Sequence, residues 1–99
     1  MATETGLKSR TKNKVREPKQ FKVIMHNDDF TTMEFVVSIL MEVFHKDEFT
    51  ANELMLIVHK VGWAVVGRYS FDIAHTKVNI ALEKARSYGY PFRMTVEEA

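Results

Sequence analysis

Asn27, Asp28 and Asp29 stand together in the stretch MHNDDFTTMEF, between an apolar run that ends at Met25 and a second one that opens at Met33. A turn between two elements takes Asn and Asp readily, because their side chains satisfy nearby backbone groups. The residues around them suggest more. Met33 and Val36 lie one helical turn apart directly after the turn, and Met55, Val58 and His59 share one face of a later helix. A His in that place is also explained as a half-buried imidazole satisfied by a backbone carbonyl. If the two helices pack together, however, carboxylates, an amide carbonyl and a neutral imidazole would meet beside a Met-lined apolar patch. All of these groups are hydrogen-bond acceptors, which suits a compact ammonium with three donors. Met adapts to irregular shapes, so the patch suits a bulky apolar side chain. An ammonium one bond from an α-carbon that bears such a side chain describes the first residue of a peptide.

Other chemistry finds little support. There is no cysteine, so disulfides, thiolate metal sites and cysteine nucleophiles are excluded. The four glycines are scattered and form no phosphate-cradling loop. The histidines (His26, His45, His59, His75) fall on separate segments without the paired spacing of a zinc helix. Asp28 and Asp29 alone make a weak cation site. Neither an enzyme, a metal nor a cofactor is expected.

The elements that must position these residues follow from periodicity. Ninety-nine residues with 45% hydrophobic content form one folded domain. Phe21, Val23 and Met25 alternate with Lys22, Ile24 and His26, the pattern of a strand with one buried face. Thr31-Thr32-Met33-Glu34 has the form of a capping box, which predicts Thr31 as the cap of a helix whose stripe runs Met33, Val36, Val37, Leu40, Val43 and Phe44, to near His45. Thr50-Ala51-Asn52-Glu53 repeats the form before a stripe of Leu54, Ile57, Val58 and Val61, with Gly62 as its stop. Residues 63–69 are β-rich. Ser70 caps a third helix that turns Ala74, Val78, Ala81 and Ala85 inward until Gly89, and residues 90–96 alternate again. The order βααβαβ implies an α+β two-layer sandwich, a three-stranded sheet packed on three helices.

Charge divides the chain. Residues 1–20 hold six Lys or Arg against two Glu, a net +4, and the remainder holds eight basic against eleven acidic residues, a net −3. Residues 1–19 lack periodic apolar positions and are expected to be a flexible basic extension ahead of a core domain at 20–99. Such a tail fits a solvated extension, and also fits an acidic partner such as nucleic acid, although it has no aromatic residue to stack on bases. No apolar run approaches the roughly 20 residues that span a bilayer, and no secretory signal opens the chain, so a cytoplasmic protein is expected.

At KVIMHNDDFTTMEFV, ELMLIVHKVG and the HTKV of the third helix, the sequence resembles the ClpS family, bacterial adaptors that deliver N-degron (N-end rule) substrates to the Clp protease. The resemblance covers roughly residues 20–99. It implies a fold similar to the C-terminal domain of a ribosomal stalk protein, with three antiparallel strands on three helices. It also implies a non-enzymatic, monomeric adaptor for substrates that begin with Leu, Phe, Tyr or Trp, handed to the AAA+ unfoldase ClpA. By motif position, Asn27, Asp29 and His59 would hold the α-amino group, with Asp28 adding negative charge. Thr31, Met33, Val36, Met55 and Val58 would line the side-chain pocket, Met33 at the position that screens out β-branched residues. Asp72 and Lys77 match the unfoldase-facing surface, and the tail matches the extension that the unfoldase engages. Thr32, His75 and Phe92 depart from the family's usual Pro, Glu and Leu. Phe92 is expected to close the pocket and to alter its preference. A nucleic-acid-binding or general protein-interaction module of the same fold is the alternative reading.

Overall fold

The computed structural model describes residues 18–99. The expected basic extension therefore lies outside the described residues up to position 17. From Phe21 onward the chain runs β1 (Phe21–His26), α1 (Met33–Glu42), α2 (Glu48–Val61), β2 (Trp63–Tyr69), α3 (Phe71–Ser87) and β3 (Arg93–Glu98). The three strands form one antiparallel sheet in the order β2-β1-β3. This is the expected α+β sandwich in the order βααβαβ.

β1 is central, and its alternation explains the layer. Val23 and Met25 point into the helical side and are fully buried, joined by Ala64 and Val66 of β2 and Met94 of β3. Ile24, on the opposite face, is also buried, because its neighbours across the pairing are Val65 and Thr95. The β1–β2 register slips between Val23 and Ile24, which pair with Gly67 and Val65 respectively. This bulge turns both Val66 and Gly67 toward the helices. A Cβ at Gly67 would stand 2.8 Å from the Tyr69 hydroxyl, so a larger residue there would push the Tyr69 ring aside.

The helices differ from expectation in their faces and starts. Phe35 and Ile39, four residues apart, join Val36 and Leu40 as the buried residues of α1, so the face turned to the sheet is wider than the expected stripe and Met33 is excluded from it. α1 begins one residue later than the Thr31 cap predicts. Thr32 is the cap and accepts from the Phe35 N–H at 3.2 Å, while Thr31 is drawn to Asp28 instead. α1 also ends earlier, with Val43 as its C-terminal cap and His45 at a positive φ of 58°. α2 starts two residues before Thr50, since Asp47 accepts from the Thr50 N–H at 2.9 Å. Ala51 and Val58 are its buried residues, whereas Ile57 and Val61 lie on the open side. α3 buries Ala74, Val78, Ala81 and Ala85 as predicted, although the Ser70 side chain makes no capping bond. Small residues let α3 lie close on the sheet. No helix among the described residues is long and apolar enough to cross a membrane.

Candidate functional site

The turn from β1 to α1 is fixed from two directions. The Asn27 N–H donates to the Gly62 carbonyl at 2.9 Å, which ties the turn to the end of α2. Gly62 takes the left-handed conformation (φ 107°) that ends α2, and its own N–H donates to the Val58 carbonyl. Within the turn, Asp28 is the organiser. Its Oδ1 accepts from the Phe30 and Thr31 N–H groups, each at 2.8 Å, and its Oδ2 accepts from the Thr31 hydroxyl at 2.8 Å. Partial burial pushes the Asp28 carboxyl up, but the bonds from Thr31 and Phe30 together outweigh it and hold the carboxyl below its ordinary range.

A cavity of about 460 Å³ opens between this turn, the start of α1 and the last two turns of α2. Asn27, Asp28 and Asp29 of the turn line it, and so does His59 of α2, which is exposed. Thr31, Met33, Val36, Met55 and Val58 line it as well. Val36 and Val58 are buried at its base, Met55 is half-buried, and Met33 is 44% exposed on its lip. The structure thus brings together nine of the residues that the sequence singled out. Asp28 is the one whose carboxylate is already engaged in the turn. Asp29 is exposed, and its carboxylate makes no hydrogen bond or ion pair among the described residues.

Phe92 is a correction. It does not line the cavity but is buried in the core, edge-on to the Phe35 ring with centroids 6.0 Å apart. The reason lies in α1: Phe35, on the face turned to the sheet, is surrounded by Tyr88, Tyr90 and Phe92, and this aromatic cluster fills the space behind the helix. Three lining residues went unpredicted. Phe30, 75% exposed, Thr32 and Glu34 all belong to the quoted stretch, and their place among Asp29, Met33 and Val36 was the available signal. Thr32 also donates to the Tyr90 hydroxyl at 3.4 Å, which links the turn to the segment before β3.

The residues expected on a partner-facing surface sit on α3, away from the cavity. Asp72 is exposed in its first turn. Lys77 is half-buried: its ammonium donates to the Val43 carbonyl at 2.9 Å and stands over the Phe44 and Tyr69 rings at 5.9 and 5.6 Å. It caps the end of α1 by taking up the Val43 carbonyl.

Electrostatically the cavity is built for a cation. Asp29 and Asp28 supply negative charge, and among the described residues no Lys or Arg lines the space. The end of α2, where His59 sits, presents the negative pole of that helix. An apolar base below a ring of acceptors can hold an ammonium and an adjoining hydrophobic group at once. No group of three or more His, Cys, Asp or Glu among the described residues could hold a metal ion.

A family model described as "ATP-dependent Clp protease adaptor protein ClpS" matches residues 16–95. The chain is 51% identical over 86 residues to a ClpS adapter of Nitratidesulfovibrio vulgaris, covering 87% of this chain and 86% of that protein. It is 47% identical over 87 residues to one from Clostridium acetobutylicum, covering 88% and 86%. Among solved structures, ClpS2 of Agrobacterium tumefaciens bound to L-phenylalaninamide superposes with a TM-score of 0.81 at 38% identity, over 84% of this chain and all of that one.

Proposed function

Because the chain belongs to the ClpS family of Clp protease adaptors, which are adaptors and not enzymes, we propose that its cavity captures the first residue of substrate proteins. The free α-amino group is held by Asn27, Asp29 and His59, and the side chain, Leu, Phe, Tyr or Trp, enters the apolar base formed by Val36, Met55 and Val58. Thr31 and Met33 edge the opening. The half-exposed Met33 side chain at the opening disfavours side chains branched at Cβ, because the second Cβ substituent would meet it. Asp28 contributes charge and, through its three bonds, the shape of the turn.

The observation that supports this reading most is one cavity lined both by acceptors and by the buried apolar side chains of Val36 and Val58. The relative bound to L-phenylalaninamide supports it too, since that ligand combines a free amine with a bulky apolar side chain. Delivery then follows by docking on the ClpA unfoldase through the α3 surface that includes Asp72. Lys77 would have to release the Val43 carbonyl to join that contact. We read the protein as a cytoplasmic monomer with a basic extension at residues 1–19 that the unfoldase engages.

Fluorescence anisotropy with labelled peptides that differ only in the first residue tests the capture. Peptides beginning with Leu, Phe, Tyr or Trp bind, and those beginning with Val, Ile or Ser bind at least tenfold more weakly. Equal binding of all would refute the proposal.

A further inference from the structure

α2 keeps apolar residues on its open side. Ala51 and Val58 turn inward, yet Phe49, Leu56, Ile57 and Val61 stand between 45% and 71% exposed. Leu56, Ile57 and Val61 line a groove of about 290 Å³ together with Glu53 and Lys60. Several large apolar residues kept together on a surface mark a contact with another molecule. At 3.6 residues per turn, Glu53, Leu56, Ile57 and Lys60 fall within an arc of about 100°. Met55 and His59 lie outside that arc, on the flank that lines the first-residue cavity.

The order of these residues selects the occupant. Glu53 and Lys60 are seven residues apart, about 10.5 Å along the axis, beyond the three- and four-residue spacing at which helix side chains pair. Neither forms an ion pair with another described residue. A two-fold axis between Leu56 and Ile57 would lay a second α2 antiparallel on the first. It sets Leu56 of one copy on Ile57 of the other, and Glu53 on Lys60 twice over. We propose that this face of α2 binds a second copy of the chain, as an isologous antiparallel helix pair with an apolar centre and two identical Glu53–Lys60 contacts flanking it. One helix face buries less than the roughly 800 Å² per partner of a standard interface, so the pair is weak and reversible, with a dissociation constant on the order of 0.1 mM. The monomer read above is the form at low concentration. The flank with Met55 and His59 stays outside the contact, so pairing leaves the cavity open and does not depend on what the cavity binds.

Sedimentation equilibrium of the full chain from about 10 µM to about 1 mM brackets that constant. The expected result is a monomer–dimer equilibrium that stops at two. Glu53→Lys alone and Lys60→Glu alone each set like charges across both contacts, so each should weaken pairing roughly fivefold or more at low salt. The double variant Glu53→Lys/Lys60→Glu exchanges the charges and should return pairing to within about twofold of the parent. Net charge is separated from contact in this series, because it rises from +1 to +3 in the first single variant and falls to −1 in the second. Leu56→Ser should weaken pairing with no change of charge. All three positions are exposed, so each variant should melt as the parent does by circular dichroism. A chain that stays monomeric at the highest concentration overturns the proposal, and so does pairing that either single charge change leaves intact. A double variant as weak as the singles overturns it too. Assembly that grows past two also overturns it, because a two-fold contact closes on itself.

Discussion

Asp28→Asn and Asp29→Asn remove the same charge from adjacent positions and should have different consequences. Asp29 makes no hydrogen bond among the described residues, so its replacement should leave stability within about 0.5 kcal/mol of the parent. Its loss falls on the ligand. A carboxylate about 4 Å from an ammonium gains roughly 4 kcal/mol at an effective dielectric constant of about 20. Desolvating the ammonium offsets much of that, and charge-assisted bonds net about 1.5–3 kcal/mol. Asp29 is exposed, so the lower end applies and affinity should fall roughly tenfold. Asp28→Asn behaves the other way. Its amide oxygen can still accept from the Phe30 and Thr31 N–H groups, while its NH₂ replaces the acceptor that the Thr31 hydroxyl now uses. Stability should drop by about 1 kcal/mol and affinity only a few-fold. Asp28→Ala, which loses all three bonds, should cost about 1–3 kcal/mol. Urea denaturation and anisotropy with a Leu peptide measure both quantities. An Asp28→Asn variant of unchanged stability that binds worse than Asp29→Asn would refute this division of roles.

Three further outcomes follow from the same contacts. The Asp28 carboxyl lies below its value of 3.8 in an unfolded chain, so the folded protein binds that proton less readily and the contribution to stability is present above pH 3.8 and lost as pH falls through the lower folded value; the stability difference between the parent and Asp28→Ala, followed by urea denaturation, should therefore narrow from pH 5 to pH 3. Gly62→Ala forces a side chain onto a φ of 107° where nothing crowds it, so the cost is conformational, about 1 kcal/mol, and because the Gly62 carbonyl holds Asn27, peptide affinity should fall together with the melting temperature. Phe92→Leu should destabilise the core by about 1 kcal/mol, read by thermal melting, yet leave the ranking of first residues unchanged in the anisotropy assay, because the ring packs on Phe35 behind α1.

The sequence displayed the layers more clearly than the details of the site. The four inward alanine and valine positions of α3 are regularly spaced on one face, and Gly62 is suited to the left-handed stop that ends α2. The cavity was legible because its residues come in two short clusters, 27–36 and 55–59, that any antiparallel packing of α1 and α2 brings together. What stayed hidden depends on competition between equivalent groups. Thr31 and Thr32 can each cap a helix, and the choice falls to Thr32 because Asp28 captures Thr31. Asp47 and Thr50 compete in the same way at α2, and the earlier residue wins by accepting the Thr50 N–H. The position of Phe92 depends on the aromatic cluster around Phe35, a contact across more than fifty residues that periodicity does not encode. The bulge opposite Val23 is likewise a matter of register, invisible in a β-rich run.

The most direct test of the account is a nuclear magnetic resonance titration of the full chain with L-phenylalaninamide and with its N-acetylated counterpart. Capture of a free amine predicts that the first shifts the resonances of Asn27, Asp29 and His59 together with the methyl groups of Val36, Met55 and Val58, while the second moves none of them at the same concentration. Equal shifts from both ligands, or shifts confined to residues outside the cavity, would contradict it.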